Sequence, residues 1–178
     1  MTGSSFTDEG FEELFLAHYG RMVTVLRRLL GDRGCAEDLV NEVFLKLYRR
    51  GLPQGSNGNV PGWLYRTAMN LGIDALRSLA RRRRYEQAAA VAVAGSRWSE
   101  DGYAQVLQAE RQQRVRAVLA QLKPSQAQLL VLRASGHSYK EVADILGIQC
   151  GSVGTLLIRA EGAFEKRYRE RYGGEEGS

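Results

Sequence analysis

Apolar residues recur at helical spacing along most of this chain, and no stretch shows the strict alternation of a half-buried strand. Phe11, Leu14, Phe15, His18, Met22, Val25, Leu26 and Leu29 share one helical face. They predict an amphipathic helix of about five turns, closed by Gly31-Asp32. His18 lies on that face and reads as a packed core residue. A second helix is predicted from Cys35-Ala36, with Leu39, Val40, Val43, Phe44, Leu47 and Tyr48 as a wide buried stripe. Asp38, Asn41, Glu42, Lys46 and Arg49 fall on its other face. Acidic groups stand in its first turn and basic ones in its last, the order that the helix dipole favours. Gly51 to Pro61 is rich in Gly, Pro, Asn and Ser and reads as a loop. A third helix starts at Pro61-Gly62, carries Trp63, Leu64, Ala68, Leu71, Ile73, Ala75, Leu76 and Leu79, and ends in the run Arg81 to Arg84.

The pattern then breaks. Small residues fill Ala88 to Gly95, and a mixed, acidic stretch follows to Gly102, with the lone Trp98 inside it. This reads as a linker, helical at its start. A helix over Glu110 to Leu122 follows, then one that begins at Pro124 and stops at Gly136. Ser138 with Glu141 three residues on is a capping box, so a further helix starts there. Val142, Ala143, Ile145 and Leu146 form its apolar stripe, Gly147 supplies the left-handed residue that ends it, and Ile148 plugs the space beyond. The last helix opens near Gly151-Ser152, runs through Val153, Leu156, Leu157 and Ala160, and is prolonged by Phe164 to Tyr172. Two short helices across a tight glycine turn are a helix-turn-helix, whose second helix fits a major groove. The same pattern also suits an ordinary helical hairpin in an all-α core. The whole reads as all-α: two small helical domains, 8–86 and 109–172, joined by a linker over 87–108, with the helix-turn-helix in the second and a disordered tail over 173–178.

Composition narrows the choice of partner. The 178 residues carry a formal net charge of +5, and the pI is near 9.4, which favours a polyanion. Arginine supplies most of the positive charge, as suits phosphate contacts. Cys35 and Cys150 stand in different units without metal-ligand spacing, and read as buried or idle thiols. No metal, cofactor or catalytic constellation is expected, so the chain does not read as an enzyme. With no leader pattern and no apolar run of membrane-spanning length, it is expected to be cytoplasmic, with no membrane insertion.

Three features in fixed order become specific together: Ala36 to Tyr48, Gly62 to Arg77 with its arginine run, and the helix-turn-helix after Leu129-Leu-Val-Leu-Arg133. The chain resembles the extracytoplasmic-function (ECF) class of bacterial RNA polymerase sigma factors, from about Phe11 to Arg169. The resemblance implies that 8–86 is sigma region 2, for core binding, −10 recognition and melting, and that 109–172 is sigma region 4, for −35 recognition. It implies core RNA polymerase as partner, through its β′ clamp helices and β flap, together with promoter DNA and, in many members, an anti-sigma factor. Asp38, Asn41, Glu42 and Leu45 would meet the clamp helices. Arg66, Asn70, Arg77, Arg81 and Arg82 would hold the −10 strand, with Gln54, Ser56 and Asn57 of the loop as readers of its flipped base. Trp63 suits the core better than a stacking role, and Asp74 suits a cap or a pair with a nearby arginine. Arg133, Lys140, Ser152, Thr155 and Arg159 are the −35 candidates. Glu100 and Asp101 of the linker either mimic nucleic-acid charge or belong to a plain tether.

The recognition helix departs from that pattern. Members commonly carry basic residues where this chain has Gly154 and Leu156, and a histidine or aromatic where it has Ile158. Weak −35 binding with a shallow salt dependence is therefore expected. Two competing functions stay open: a stand-alone helix-turn-helix regulator, and a sigma-like interaction protein with weakened promoter recognition.

Overall fold

In the computed structural model, residues 8–51, 58–90 and 103–173 are described, and they form seven helices and no strand. Helices α1 (Asp8–Leu30), α2 (Arg33–Arg50) and α3 (Val60–Ala90) make a first unit. Helices α4 (Tyr103–Leu119), α5 (Pro124–Ala134), α6 (Tyr139–Leu146) and α7 (Cys150–Tyr172) make a second. The two-part all-α plan matches the expectation. Trp98, Glu100 and Asp101 of the linker, and the tail beyond Gly173, lie outside the described residues.

Local chemistry sets each boundary. Gly31, at φ +79°, turns the chain between α1 and α2. Asp32 then caps α2, its carboxylate accepting from the Cys35 N–H at 2.6 Å. That cap starts α2 two residues before the predicted Cys35, and its first turn consequently holds no acidic residue. The negative charge at this helix start comes from the capping Asp32 instead. Asn59 caps α3 by accepting from the Gly62 N–H at 2.8 Å, and Pro61 sits in the first turn, where its missing N–H costs nothing. Helix α3 does not stop at its arginine run but continues to Ala90. The apolar stripe ends earlier, but Gln87 to Ala90 are good helix formers and carry the helix on. Helix α4 is displaced toward the N-terminus: it starts at Tyr103 and finishes at Leu119 rather than Leu122. Its end tightens into short-range bonds, such as Leu122 N–H to the Leu119 carbonyl at 3.2 Å, because Lys123 precedes Pro124 and is steered to an extended conformation.

Met22, Leu26, Leu29, Val40, Val43, Leu47, Leu64, Met69 and Ile73 are fully buried between α1, α2 and α3. Helix α3 crosses α1 closely at Gly72, where a β-carbon would lie 2.7 Å from the Leu26 Cδ2. Phe11, Phe15, Tyr19 and Phe44 interlock as edge and stacked pairs at the open end of α1 and α2. Tyr48, expected in the buried stripe, is 64% exposed. It rests edge-on against Phe11 at 5.4 Å, on the rim of that cluster. The second unit buries Val118, Leu122, Leu132, Val142 and Val153. The two units do not keep separate cores. Their buried apolar residues form one contiguous cluster, because α3 packs on α5 and α6, and α1 packs on α5.

Candidate nucleic-acid interface

The capping box at Ser138 forms as expected. The Ser138 hydroxyl accepts from the Glu141 N–H at 3.2 Å, and Glu141 accepts from the Ser138 N–H at 2.8 Å. Gly147 ends α6 at φ +67°, in the left-handed region. Helices α6 and α7 meet at 91°, held by buried Val142, Ala143, Ile145, Val153, Leu157 and Ala160. That bent pair apart, no helix among the described residues is long and apolar enough to cross a membrane.

On the outward face of α7, Thr155 and Arg159 are exposed and Ser152 is half-buried. Lys140 is exposed on α6. Arg133 is used differently from the expectation. Its guanidinium donates to the His137 carbonyl and sits over the Tyr139 ring at 4.9 Å. It ties α5 to the turn before α6, which the sequence signalled only through an aromatic placed just after that turn. Ile158 is 69% exposed and Leu156 packs against the core, so the departure from the usual pattern leaves Arg159 as the charged group on this face.

On α2, Asp38, Asn41, Glu42 and Leu45 all project into solvent from one face. Glu42 pairs with Lys46 at 2.7 Å, an exposed bridge of small energetic weight.

The α3 residues are arranged less simply. Gln54, Ser56 and Asn57 lie outside the described residues. Arg81 and Arg82 are exposed. Arg66, Asn70 and Arg77 instead face the second unit. Arg77 donates to the Ala120 and Leu122 carbonyls at 3.3 and 3.1 Å. The Asn70 side-chain oxygen accepts from Gln128 at 2.7 Å. An Arg66 nitrogen lies 3.2 Å from where a β-carbon on Gly147 would be. Trp63 is half-buried against the core, as expected. Asp74 is exposed and makes no ion pair among the described residues, so the expected pairing with an arginine does not form.

Residues that the pattern did not single out complete this seam. Arg21 pairs with Glu141 at 2.9 Å, Arg28 donates to the Ala134 carbonyl, and Asn59 donates to the Asp144 carbonyl at 3.1 Å. Tyr65 stands edge-on between His18 at 6.0 Å and His137 at 5.4 Å. Burial, reinforced by the charge of Arg21, pushes the His18 imidazole below its ordinary value. Burial does the same to His137, whose Nδ1 meets the Leu132 carbonyl at 3.2 Å while Nε2 has no partner among the described residues. The hydrogen bond from Arg21, helped by Ser138, lowers Glu141 to about 2. Both thiols are free and exposed rather than buried. Cys35 is pushed up by partial desolvation and the neighbouring Asp32, which disfavours a reactive thiolate.

Residues 14–82 match the family Sigma-70 region 2, and residues 112–163 match Sigma-70, region 4. The chain is 33% identical to the ECF RNA polymerase sigma factor EcfG of Rhodopseudomonas palustris, over 74% of this chain and 70% of that protein. It is 28% identical to the ECF RNA polymerase sigma factor SigE of Mycolicibacterium smegmatis, over 89% of this chain and 61% of that longer protein. Among solved structures, the sigma factor RpoE of Bartonella quintana, in complex with the anti-sigma factor NepR, matches at 21% identity and a TM-score of 0.46, over 90% of this chain and 98% of that one. This chain belongs to the ECF class of RNA polymerase sigma factors, with region 2 in its first unit and region 4 in its second.

Proposed function

We propose that the chain binds core RNA polymerase, directs it to a promoter and helps to open the −10 element, while the polymerase performs the chemistry. One observation carries the polymerase assignment: the α2 face of Asp38, Asn41, Glu42 and Leu45 stays open to solvent while Ala36, Val40, Val43, Phe44 and Leu47 on its other side are buried. A carboxylate pair beside an apolar side chain suits a basic coiled coil such as the β′ clamp helices. Region 4, with Lys140, Ser152, Thr155 and Arg159 at its outward end, is the −35 reader, and its position next to the polymerase would be fixed by the β flap. Arg81 and Arg82 meet the −10 backbone; Arg66, Asn70 and Arg77 join them only once region 4 has moved away. The work belongs in the cytoplasm with the polymerase, and an anti-sigma factor is a further partner of this class.

Reversing Asp38 and Glu42 together to lysine tests the reading. Both are exposed, so the fold is retained, and affinity for core polymerase falls by about tenfold or more. Wild-type affinity in that double variant would sink the clamp-helix assignment. A second reading, an interaction protein with weakened promoter recognition, draws on the loss of basic groups at Gly154 and Leu156. It predicts core binding without start-site selection when the holoenzyme transcribes fragmented genomic DNA.

A further inference from the structure

Where region 4 docks on region 2, the distal half of α3, the middle of α4 and the end of α7 enclose a cleft of about 520 Å³. Among the described residues, seven arginines line it together with one carboxylate, Glu110. Four come from α3, two from α4 and one from α7. Charges of one sign are thus gathered from both units. The Arg116 Nε is buried without a hydrogen-bond partner among the described residues, and its Nη2 donates to the neutral Gln112. Burial, and then the charge of Arg83, push the Arg116 guanidinium below its ordinary value, so its cationic form stands under-compensated. Arg114 and Arg171 are held at the rim over the Tyr172 ring, at 5.2 and 5.5 Å.

A crowd of guanidinium forks calls for an anion with several oxygens, because each fork binds phosphate in two parallel bonds. The volume falls in the range of small-ligand sites, roughly 300–1,000 Å³, and cannot admit a DNA duplex. The Tyr172 ring is already covered by two guanidiniums, so the cleft recognises phosphate rather than a stacked base. We propose that this cleft binds a linear polyphosphate, free or as the tail of a nucleotide, and that the bound anion holds region 4 against region 2. The full set of contacts exists only when the units are docked, so the anion shifts the population toward the closed form. In that form Asn70 and Arg77 are occupied by region 4, and the anion opposes promoter reading. This last consequence rests on the sigma-factor reading; the binding itself does not.

The test uses the full chain and sodium tripolyphosphate, titrated calorimetrically at constant ionic strength. Fluorophores on the two native thiols, Cys35 in region 2 and Cys150 in region 4, report closure by energy transfer. One saturable site per chain is expected, with a rise in transfer. Arg83→Gln should weaken binding by about tenfold or more, the loss of one charge-assisted contact, and Arg114→Gln with Arg171→Gln by at least as much, the loss of two. Unchanged melting of these variants by circular dichroism guards against a folding defect. Parallel titrations with ATP and GTP distinguish the sources: tighter binding than tripolyphosphate assigns a nucleotide, and equal or weaker binding assigns the inorganic anion. Absence of saturable binding overturns the proposal. So does binding that the variants leave unchanged, or binding without a rise in transfer. Failure to bind core polymerase, with the tripolyphosphate site intact, would instead sink the sigma-factor reading and leave this site standing.

Discussion

His137 shows how one side chain ties the fold to solution conditions. It is buried beside Tyr65, with Arg21, Arg133 and Glu141 as its charged neighbours. Its folded-state value lies below the ordinary 6.5, as does that of His18. The unfolded chain therefore binds more protons in mildly acidic solution, and stability rises with pH there. The contribution is complete above 6.5 and is lost as pH falls toward the depressed folded values. Lowering the pH from about 7.5 to about 5.5 should reduce the melting temperature, and His137→Phe should flatten that dependence without abolishing it, since His18 remains. An equally steep dependence in the variant would locate the titration elsewhere. Glu141 acts in a separate window: its stabilisation is full above 4.5 and is lost as pH falls through about 2. The helical spacing placed His18 on a packed face, but nothing in the pattern marked His137 for burial. Its burial depends on Tyr65, 72 residues earlier in the chain.

Helix α6 is the element most readable from sequence, because short-range chemistry sets both of its ends. Removing the α6 cap by Ser138→Ala should cost about 1 kcal/mol, or about 2–4 °C of melting temperature for a chain of this size. Gly147→Ala forces a side chain into the left-handed region beside Arg66 and should cost roughly 1–2 kcal/mol. If both changes left the melting curve where it was, the cap geometry would be irrelevant to stability. On α7, a β-carbon at Gly154 would meet only the Tyr139 ring, at an ordinary 3.6 Å. Gly154→Arg should therefore be tolerated and gain up to about 1 kcal/mol of helix propensity. It should also steepen the salt dependence of −35 duplex binding by about one unit of slope. Leu156→Arg should lose stability, since Leu156 packs on the core. Tight wild-type binding with an already steep slope would mean that other groups supply the charge. The end of α3 was misplaced because an alanine-rich stretch without amphipathic pattern leaves helix propensity to decide, and periodicity is silent there.

At the scale of the molecule, the sequence pattern led to two units but not to their docking. The seam runs through Arg21, Arg28, Asn59, Asn70 and Arg77, polar residues that no apolar period marks. The α3 motif pointed to Arg66, Asn70, Arg77, Arg81 and Arg82 as the candidate −10 face, but nothing in it marked the engagement of the first three by region 4. The exposed Arg21–Glu141 bridge contributes roughly 0–1 kcal/mol, so reversing it alone should barely open the seam. Combining Arg28→Ala with Arg77→Ala removes three bonds to carbonyls, and energy transfer between labels on Cys35 and Cys150 should fall. Unaltered transfer would show that apolar packing alone keeps the units together.

The seam's bonds to main-chain carbonyls also have a direction. Arg28, Asn59 and Arg77 all donate from region 2, and their acceptors are main-chain carbonyls of Ala134, Asp144, Ala120 and Leu122. A carbonyl is the same group whatever residue carries it. Heritable change is therefore weighted unequally across the two halves. Region 4 can exchange its side chains at these four positions and keep these bonds, whereas in region 2 a single codon change at Arg28, Asn59 or Arg77 removes a donor. A recombinant that joins this region 2 to a foreign region 4 of the same backbone course would inherit these four bonds along with the first half of the gene.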